Sequence, residues 1–314
     1  MKKVIAMLLA VVMLFALCAC GSTNSDSKNE ASSGNKVVKI GVFEPTSGQN
    51  AAGGKKEILG IEYAHSLYPT IEINGETYDI ELVYADNGST AEKAPSAAQL
   101  LISNGVSVVI GTYGSGCAIA AGDLFASAKL PAIGTSCTNP QVTLGNDYYF
   151  RIAYIDPFQG AVMASYALKN GCTIMANIKA EGYDGIFAPV SIETAPLIIN
   201  QARENGVDCQ IMAGDTWDDI SIAERAGENA NGVFFSAFFD ASDTSNEAGV
   251  EFVKGFREYV AADSTRIENN GGTSEAISSV TPCGYDAYMA AYNALLKAQS
   301  LDGEAIRDAL AGLE

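Results

Sequence analysis

The sequence predicts an α/β protein that contains two successive sets of parallel βα units. Short segments rich in Val and Ile alternate with stretches of helical periodicity over about 280 residues. The alternation resumes as a second set after residues 148–154. Apolar residues make up 48% of the chain, which is enough to bury two cores. Parallel strands with right-handed helical crossovers account for this pattern, and helices then cover both faces of each sheet.

The first set of strands and helices begins close to residue 37. Strands are predicted at 37–43, 78–86, 106–112 and 130–136, with helices at 55–68, before Asn104 and at 115–129.

The second set follows a strand at 148–154. A helix is predicted at 159–170, then strands at 185–191, 209–215 and 232–240, with a helix through INQARENG between the first two. The run FFSAFF at 234–239 is predicted to be a buried strand, with Phe238 as a candidate cleft wall. After Asp240 a polar connection leads to three helices, at 247–262, 285–299 and 303–313.

The N-terminus is predicted to be a signal peptide, residues 1–19. Lys2 and Lys3 precede an apolar run of 16 residues, whereas a membrane-spanning helix needs roughly 20. The run ends in LCAC, which resembles the lipobox of bacterial lipoproteins and makes Cys20 the expected site of lipid attachment. Residues 20–35 are then a flexible leash rich in Ser, Asn and Gly. The alternative is an ordinary secretory signal with two incidental cysteines.

Charge and cysteine content exclude several classes of protein. Loss of Lys2 and Lys3 changes the formal charge from −18 to −20, and no Lys or Arg run exceeds two residues, so nucleic acid is not an expected partner. Five cysteines remain beyond Cys20. With no CxxC spacing and a single histidine, a zinc site is not expected, and at most two disulfides can form. The five are Cys117, Cys137, Cys172, Cys209 and Cys283.

No enzymatic motif is present. The segment GTYGSG at 111–116 lacks the order of a dinucleotide fingerprint, and no phosphate-binding lysine follows it. There is no G-x-S-x-G elbow. His65, the only histidine, lies on a predicted helix without an activated serine nearby in sequence, and we interpret it as a helix-face residue. The sequence therefore predicts neither an enzyme nor a cofactor.

Six segments, in order and at matching spacing, carry a resemblance to a known family. They are KIGVFEPTSG, VSVVIGTYGSGCAIAAGDLF, LPAIGTSCTNPQVT, YYFRIAYIDPFQGAVMASYAL, FAPVSIETAPLIINQAREN and IMAGDTWDD. The chain resembles the type I periplasmic binding proteins that serve ABC importers of branched-chain amino acids. The resemblance implies two Rossmann-like lobes joined by hinge strands near Asp156 and Asp240. Lobe one would comprise residues 36–155 and 241–314, and lobe two residues 156–240.

A free amino acid presents a carboxylate and an ammonium group, and both must be paired when water is expelled. Ser115 follows the third strand and opens a helix, where its hydroxyl and backbone N–H groups can hold the carboxylate, with Gly114 and Gly116 allowing close approach. The alternative for Ser115 is a helix cap, which is compatible with binding. Ser136 and Thr138 follow the neighbouring strand, and the resemblance implies that they bind both charged groups.

The ammonium group needs an acidic partner from the second lobe. Asp215 closes the strand CQIMAG, and the resemblance gives it this role. From the sequence alone, the alternative is an N-cap for the short helix that follows. Ser191 is a further candidate for the lining of the cleft. Tyr113 and Trp217 are candidates for the side-chain pocket, and the alternative for both is ordinary packing.

Departures from the family pattern concern the second lobe and the C-terminus. Between residues 170 and 182 the family carries additional βα units, so a loss of roughly 40 to 60 residues is expected, which leaves lobe two incomplete. The chain stops at LAGLE, before strands that the family usually has, which we interpret as a truncation. Cys117 and Cys137 can pair only if their α-carbons approach within about 7 Å.

The expected function is the extracytoplasmic, lipid-anchored binding of an amino acid and its delivery to the permease subunits of an ABC importer. Hinge closure of the two lobes over the ligand would accompany binding. Two alternatives remain: a ligand-sensing receptor domain of the same fold, and a non-functional product of a shortened gene.

Overall fold

The computed structural model describes residues 36–169, 185–188 and 190–313. The strands are β1 (Lys36–Glu44), β2 (Thr70–Ile73), β3 (Glu76–Asp86), β4 (Val108–Ile110), β5 (Ala132–Gly134), β6 (Tyr149–Arg151), β7 (Gly185–Phe187), β8 (Gln210–Ala213) and β9 (Val233–Phe235). The helices are α1 (Ala51–Leu67), α2 (Ala94–Ser103), α3 (Ser115–Ser127), α4 (Asp156–Lys169), α5 (Ala195–Glu204), α6 (Ile220–Ala226), α7 (Glu247–Ala261), α8 (Ser264–Asn269), α9 (Val280–Ala298) and α10 (Gly303–Ala311). Short 3-10 helices occupy Pro140–Val142, Asp215–Trp217 and Gly227–Ala230.

The first sheet has the strand order β2-β3-β1-β4-β5-β6, with β1 in a central position. From Val38 to Glu44, β1 is buried or half-buried, as expected for a parallel strand covered on both faces. Val38, Ile40 and Val42 pack into one apolar core, and Phe43 packs into a second core on the other face. The alternating βα pattern of the sequence is confirmed for this sheet.

The prediction of parallel strands throughout is wrong at β2. This strand pairs with β3 in antiparallel register, with Ile73 opposite Glu76. Asn74 and Gly75 form the turn between them with φ values of 53° and 75°. A two-residue Asn-Gly loop favours such a hairpin because both residues tolerate a positive φ, so the sequence did contain the signal.

The second sheet, in the described residues, has three parallel strands in the order β7-β8-β9. Phe187, Met212 and Phe234 lie side by side in register. Phe187 is 39% exposed and Phe234 is 37% exposed, whereas Met212 is fully buried. The prediction of a buried strand at 234–239 is therefore wrong, because β9 ends at Phe235 and none of these six residues is buried. Within the described part of the chain β7 pairs only with β8.

The C-terminal helices α9 and α10 pack against the first sheet. Tyr288, Leu295 and Ile306 belong to the same apolar core as β1. Helix α9 lies close to α1 because each contributes a glycine: a Cβ at Gly60 would lie 2.0 Å from the carbonyl oxygen of Thr281, and one at Gly284 would lie 2.1 Å from that of Glu57. The two helices therefore hold a fixed relation to each other.

The helix count after Asp240 differs from the prediction. The described residues contain four helices there, because the polar insert includes α8. Asp263 begins α8 by accepting hydrogen bonds from the backbone N–H groups of Thr265 and Arg266. His65 is a structural residue, as predicted: its Nε2 lies 3.0 Å from the carbonyl oxygen of Ile80.

Cys117 and Cys137 are both buried free thiols, so the pair considered from the sequence does not form. Cys172 and the proposed lipid site Cys20 lie outside the described residues. Among the residues that the structure describes, no helix combines the length and apolar character that a membrane crossing requires.

Candidate functional site

Polar side chains gather where three strands of the first sheet end. Glu44 ends β1, Tyr113 and Ser115 follow β4, and Ser136 follows β5. Because β1, β4 and β5 are parallel neighbours, their carboxyl ends meet at one edge of the sheet. The structure thus places Ser115 and Ser136 after adjacent strands, as the sequence predicts.

Ser115 is the first residue of α3 and does not cap it. The N-cap residue is Gly114, with φ of 106°, and no side chain caps this helix. The Ser115 hydroxyl instead accepts a hydrogen bond from the backbone N–H of Asn139 at 3.1 Å. Its own proton therefore remains available to an acceptor beside the open N–H groups of the first helical turn. Such a site is suited to an anion.

Two buried carboxyl groups, Glu44 and Glu57, lie beneath this edge. The Thr135 hydroxyl is 2.6 Å from Oε2 of Glu57 and 3.1 Å from Oε1 of Glu44. Ser136 donates its hydroxyl proton to Oε1 of Glu57. The backbone N–H of Tyr113 donates to Oε2 of Glu44 at 2.7 Å. All of these polar groups are at least nine-tenths buried.

The pair carries at most one negative charge near neutral pH. Burial, together with the negative charge of Glu57, raises the pKa of Glu44 well above its ordinary value. Burial raises the pKa of Glu57 to about 7. The two carboxyls also share a hydrogen bond, which raises the pKa of Glu44 and lowers that of Glu57, so a protonated Glu44 donates to an ionised Glu57. Thr135 donates its one hydroxyl proton to Glu57 at 2.6 Å.

Asp215 belongs to the segment that follows β8, and it is 6% exposed. Its Oδ1 accepts a hydrogen bond from Nε2 of Gln159 at 2.5 Å, and its backbone N–H donates to Oε1 of the same residue at 3.2 Å. The capping alternative is wrong, because Gly214 is the N-cap of the 3-10 helix and Asp219 caps α6. Burial raises the pKa of Asp215 to about 6.

The ring of Tyr113 lies within electrostatic range of both Glu57 and Asp215. It is 6% exposed and lies against Gly53 of α1, where a Cβ would come within 2.5 Å of the ring. Burial raises the pKa of Tyr113 well above its ordinary value, and the charges of Asp215 and Glu57 add to this shift. The phenol therefore stays neutral between the first-sheet edge and Asp215.

An ion pair joins α1 to the segment after β8. Nζ of Lys56 is 2.5 Å from Oδ2 of Asp219, and both side chains are at least 93% buried. A second contact lies beside it: Asp218 accepts hydrogen bonds from the backbone N–H of Ser279 and, through its carbonyl, from the Ser278 hydroxyl at 2.9 Å. These contacts hold the two groups of polar residues together.

Other residues predicted for the site lie apart from this cluster or at its margin. Trp217 packs in the core of the second sheet, and its Nε1 donates to the carbonyl of Val190 at 3.0 Å, so packing accounts for it. The Ser191 hydroxyl is 3.1 Å from that of Thr194. Thr138 is half-buried, and its carbonyl accepts from the N–H of Asp156 at 3.1 Å. Gly116 is exposed on the first turn of α3.

The sequence analysis missed Glu44, Glu57, Lys56, Asp219 and Gln159. Glu44 had a detectable signal, since it ends a strand at the same edge as Ser136. Glu57 had none, because GKKE on a helix is typical of a solvated face. Among the described residues no group of three or more His, Cys, Asp or Glu side chains is placed to hold a metal ion.

Comparison with known proteins identifies the family of the chain. A family model described as periplasmic binding protein matches residues 37–176 and 172–314. The chain belongs to this family. The two matched segments meet at residues 172–176, which is where the sequence predicts the loss of βα units.

Similar proteins include binding proteins for branched-chain amino acids. The Leu/Ile/Val-binding protein homolog 2 of Brucella abortus is 25% identical over 297 residues, which cover 79% of this chain and 76% of the relative. The crystal structure of a leucine binding protein from Thermotoga maritima is 27% identical, with a TM-score of 0.76 and coverage of 87% of each chain.

A third similar structure holds a ligand. It is the branched-chain amino acid transporter substrate binding protein of Streptococcus pneumoniae in complex with isoleucine, 24% identical, with a TM-score of 0.76 and coverage of 88% of each chain. This likeness shows the fold, which is that of the type I periplasmic binding proteins. The chain is thus a member of the periplasmic binding protein family, whose members are binding proteins and not enzymes.

Proposed function

We propose that this protein binds a free amino acid with an aliphatic or branched side chain, or a related small zwitterion, and delivers it to the permease of an ABC importer. It would work outside the cytoplasmic membrane, held there by lipid on Cys20. The lobes would comprise residues 36–155 with 241–314 and residues 156–240, and they would close by hinge motion near Asp156 and Asp240.

The distribution of charge supports an amino acid as the ligand. The first turn of α3 offers N–H groups and the Ser115 hydroxyl to a carboxylate. Asp215, buried on the segment after β8, offers a carboxylate to an ammonium group. The observation that carries the proposal is that Asp215 accepts from the neutral Gln159 rather than from a base, so that a cationic group of the ligand can neutralise it.

The experiment is thermal unfolding of residues 36–314, which form one compact unit, against a panel of amino acids. A ligand at 100 times its Kd adds about 2.7 kcal/mol to the free energy of unfolding. We expect Asp215→Asn and Ser115→Ala to remove most of this gain while leaving the ligand-free melting temperature nearly unchanged. If the ligand-free protein loses as much stability as the ligand-induced gain, the two residues have a structural role instead.

One observation favours the alternative of a non-functional product. The exposed Phe187 and Phe234 and the open edge of β7 leave apolar surface uncovered in the described part of the second sheet. Lack of a single cooperative unfolding transition, with or without amino acids, would support this alternative and contradict the proposal.

A further inference from the structure

The hydroxyl of Ser136 has a fixed polarity. A serine hydroxyl has one proton, and here it is donated to Oε1 of Glu57. The other oxygen of Glu57 is held by the hydroxyl of Thr135 at 2.6 Å, so the carboxylate cannot turn away. Ser136 therefore presents only lone pairs to the edge of the sheet.

Ser115 has the opposite polarity. Its hydroxyl accepts from the backbone N–H of Asn139, and its proton is free to be donated. The two serines follow the adjacent strands β4 and β5, so a donor and an acceptor lie side by side at one edge. A zwitterion meets this edge in one favourable orientation, since a carboxylate needs the donor and an ammonium group needs the acceptor.

We infer that Glu57 is a positioning residue, which holds the Ser136 hydroxyl as a hydrogen-bond acceptor so that the end of β5 takes the amine of the ligand while α3 takes its carboxylate. The inference rests on the proposed function and deepens it. Glu57 is fully buried, and Thr135 and Ser136 donate to its two oxygens, so we expect it to act through Ser136 and not by contact with the ligand.

Protonation of Glu57 would cancel this polarity. A neutral carboxyl can donate its proton to Ser136, whose own proton then turns towards the ligand. Burial raises the pKa of Glu57 to about 7, so the change falls near neutral pH. The ammonium group favours the ionised form, and the affinity for an amine is therefore present above pH 7 and lost as the pH falls through it.

The titratable groups around Glu57 come from several elements. They are Glu44 from β1, Tyr113 after β4, Cys137 after β5, Asp215 after β8 and Cys283 of α9. Lys56, the neighbouring base on α1, is paired with Asp219. Of this group, Asp215 also titrates near the range of interest, with a pKa of about 6, so its contribution must be separated from that of Glu57.

Glu57→Met and Glu57→Gln separate orientation from charge. Met has a similar length and accepts no strong hydrogen bond. Gln can accept from Ser136 through its carbonyl while its NH2 group donates to Thr135, which then donates to Glu44. Gln thus preserves the polarity of Ser136 but does not titrate. Glu62→Gln is the matched control, because Glu62 lies on the same helix and accepts from the Tyr84 hydroxyl at 2.9 Å, away from the cluster.

The test is titration calorimetry of the full chain in detergent with two probes, L-isoleucine and 3-methylpentanoate, which lacks the amine. At pH 8, Glu57→Met should lower the affinity for L-isoleucine about tenfold or more. It should lower the affinity for 3-methylpentanoate much less. Glu57→Gln should restore most of the affinity for L-isoleucine. Between pH 6 and 8 the affinity of the Glu57→Gln variant for L-isoleucine should change less than that of the wild type. Glu62→Gln should match the wild type.

Ser136→Ala provides an independent check that leaves the buried carboxyls in place. It should lose the same affinity for L-isoleucine as Glu57→Met, and the double variant should lose no more than either single variant. Three results would each overturn the inference alone. They are an equal loss of affinity for both probes in Glu57→Met, additive losses in the double variant, and a wild-type pH profile in Glu57→Gln. Failure of the wild type to bind L-isoleucine at any pH would overturn the proposed function as well.

Discussion

The buried ion pair between Lys56 and Asp219 gives the sharpest test of how the two sheets are held together. Lys56→Met removes the ammonium group and keeps most of the side-chain volume. Asp219 would then remain buried with only Ser221, through its backbone N–H and its side chain, as a hydrogen-bond partner among the described residues. Loss of one partner from a buried pair costs about 3 to 5 kcal/mol, because the remaining charge is not compensated.

The assay is equilibrium unfolding in urea at pH 7. Lys56→Met should lower the free energy of unfolding by about 3 kcal/mol or more. Lys55→Met is the matched control, since Lys55 precedes Lys56 on α1 and makes no ion pair with any described residue, and its effect should stay within about 0.5 kcal/mol. Adding Asp219→Asn to Lys56→Met should recover part of the loss, because Asn can still cap α6. Equal effects of the two lysine variants would refute this reasoning.

Two further predictions concern packing at the candidate site. Gly53→Ala should lower the free energy of unfolding by about 1 to 3 kcal/mol, because its Cβ would lie 2.5 Å from the ring of Tyr113, and unchanged stability in urea would contradict this contact. Burial raises the pKa of Cys117 to about 11 and that of Cys137 to about 12, so both thiols should resist alkylation at pH 8 until the protein unfolds. Peptide mass spectrometry measures this, and labelling of native Cys137 at the unfolded rate would contradict it.

The sequence was informative where local pattern and tertiary structure agree. The Val-rich and Ile-rich strands of the first sheet and the helices between them follow from periodicity alone. Ser115 and Ser136 were proposed because open α/β sheets place their ligand groups at the carboxyl ends of strands, and Asp215 was proposed from the family resemblance. Their contacts were less predictable, and the hydrogen bond from Gln159 to Asp215 gives no sign in the sequence.

The remaining features depend on long-range packing. Glu57 is buried because α9 lies over α1, a contact between residues more than 200 positions apart in sequence. Phe234 is more exposed than its apolar sequence suggests because burial requires a covering layer, which local composition does not specify. Tyr113 was proposed on its position alone, and its close approach to Gly53 required coordinates.

Lys56 and Glu57 are consecutive residues on α1, and their tasks differ: one side chain reaches the segment after β8, and the other supports Ser136. A helix moves as a stiff rod, and the glycine contacts with α9 anchor this one. A small slide or rotation of α1 therefore alters the contact between the sheets and the proposed ligand site in the same movement. Binding of a ligand at the proposed site would therefore be coupled to the contact between the sheets through two adjacent residues of one helix.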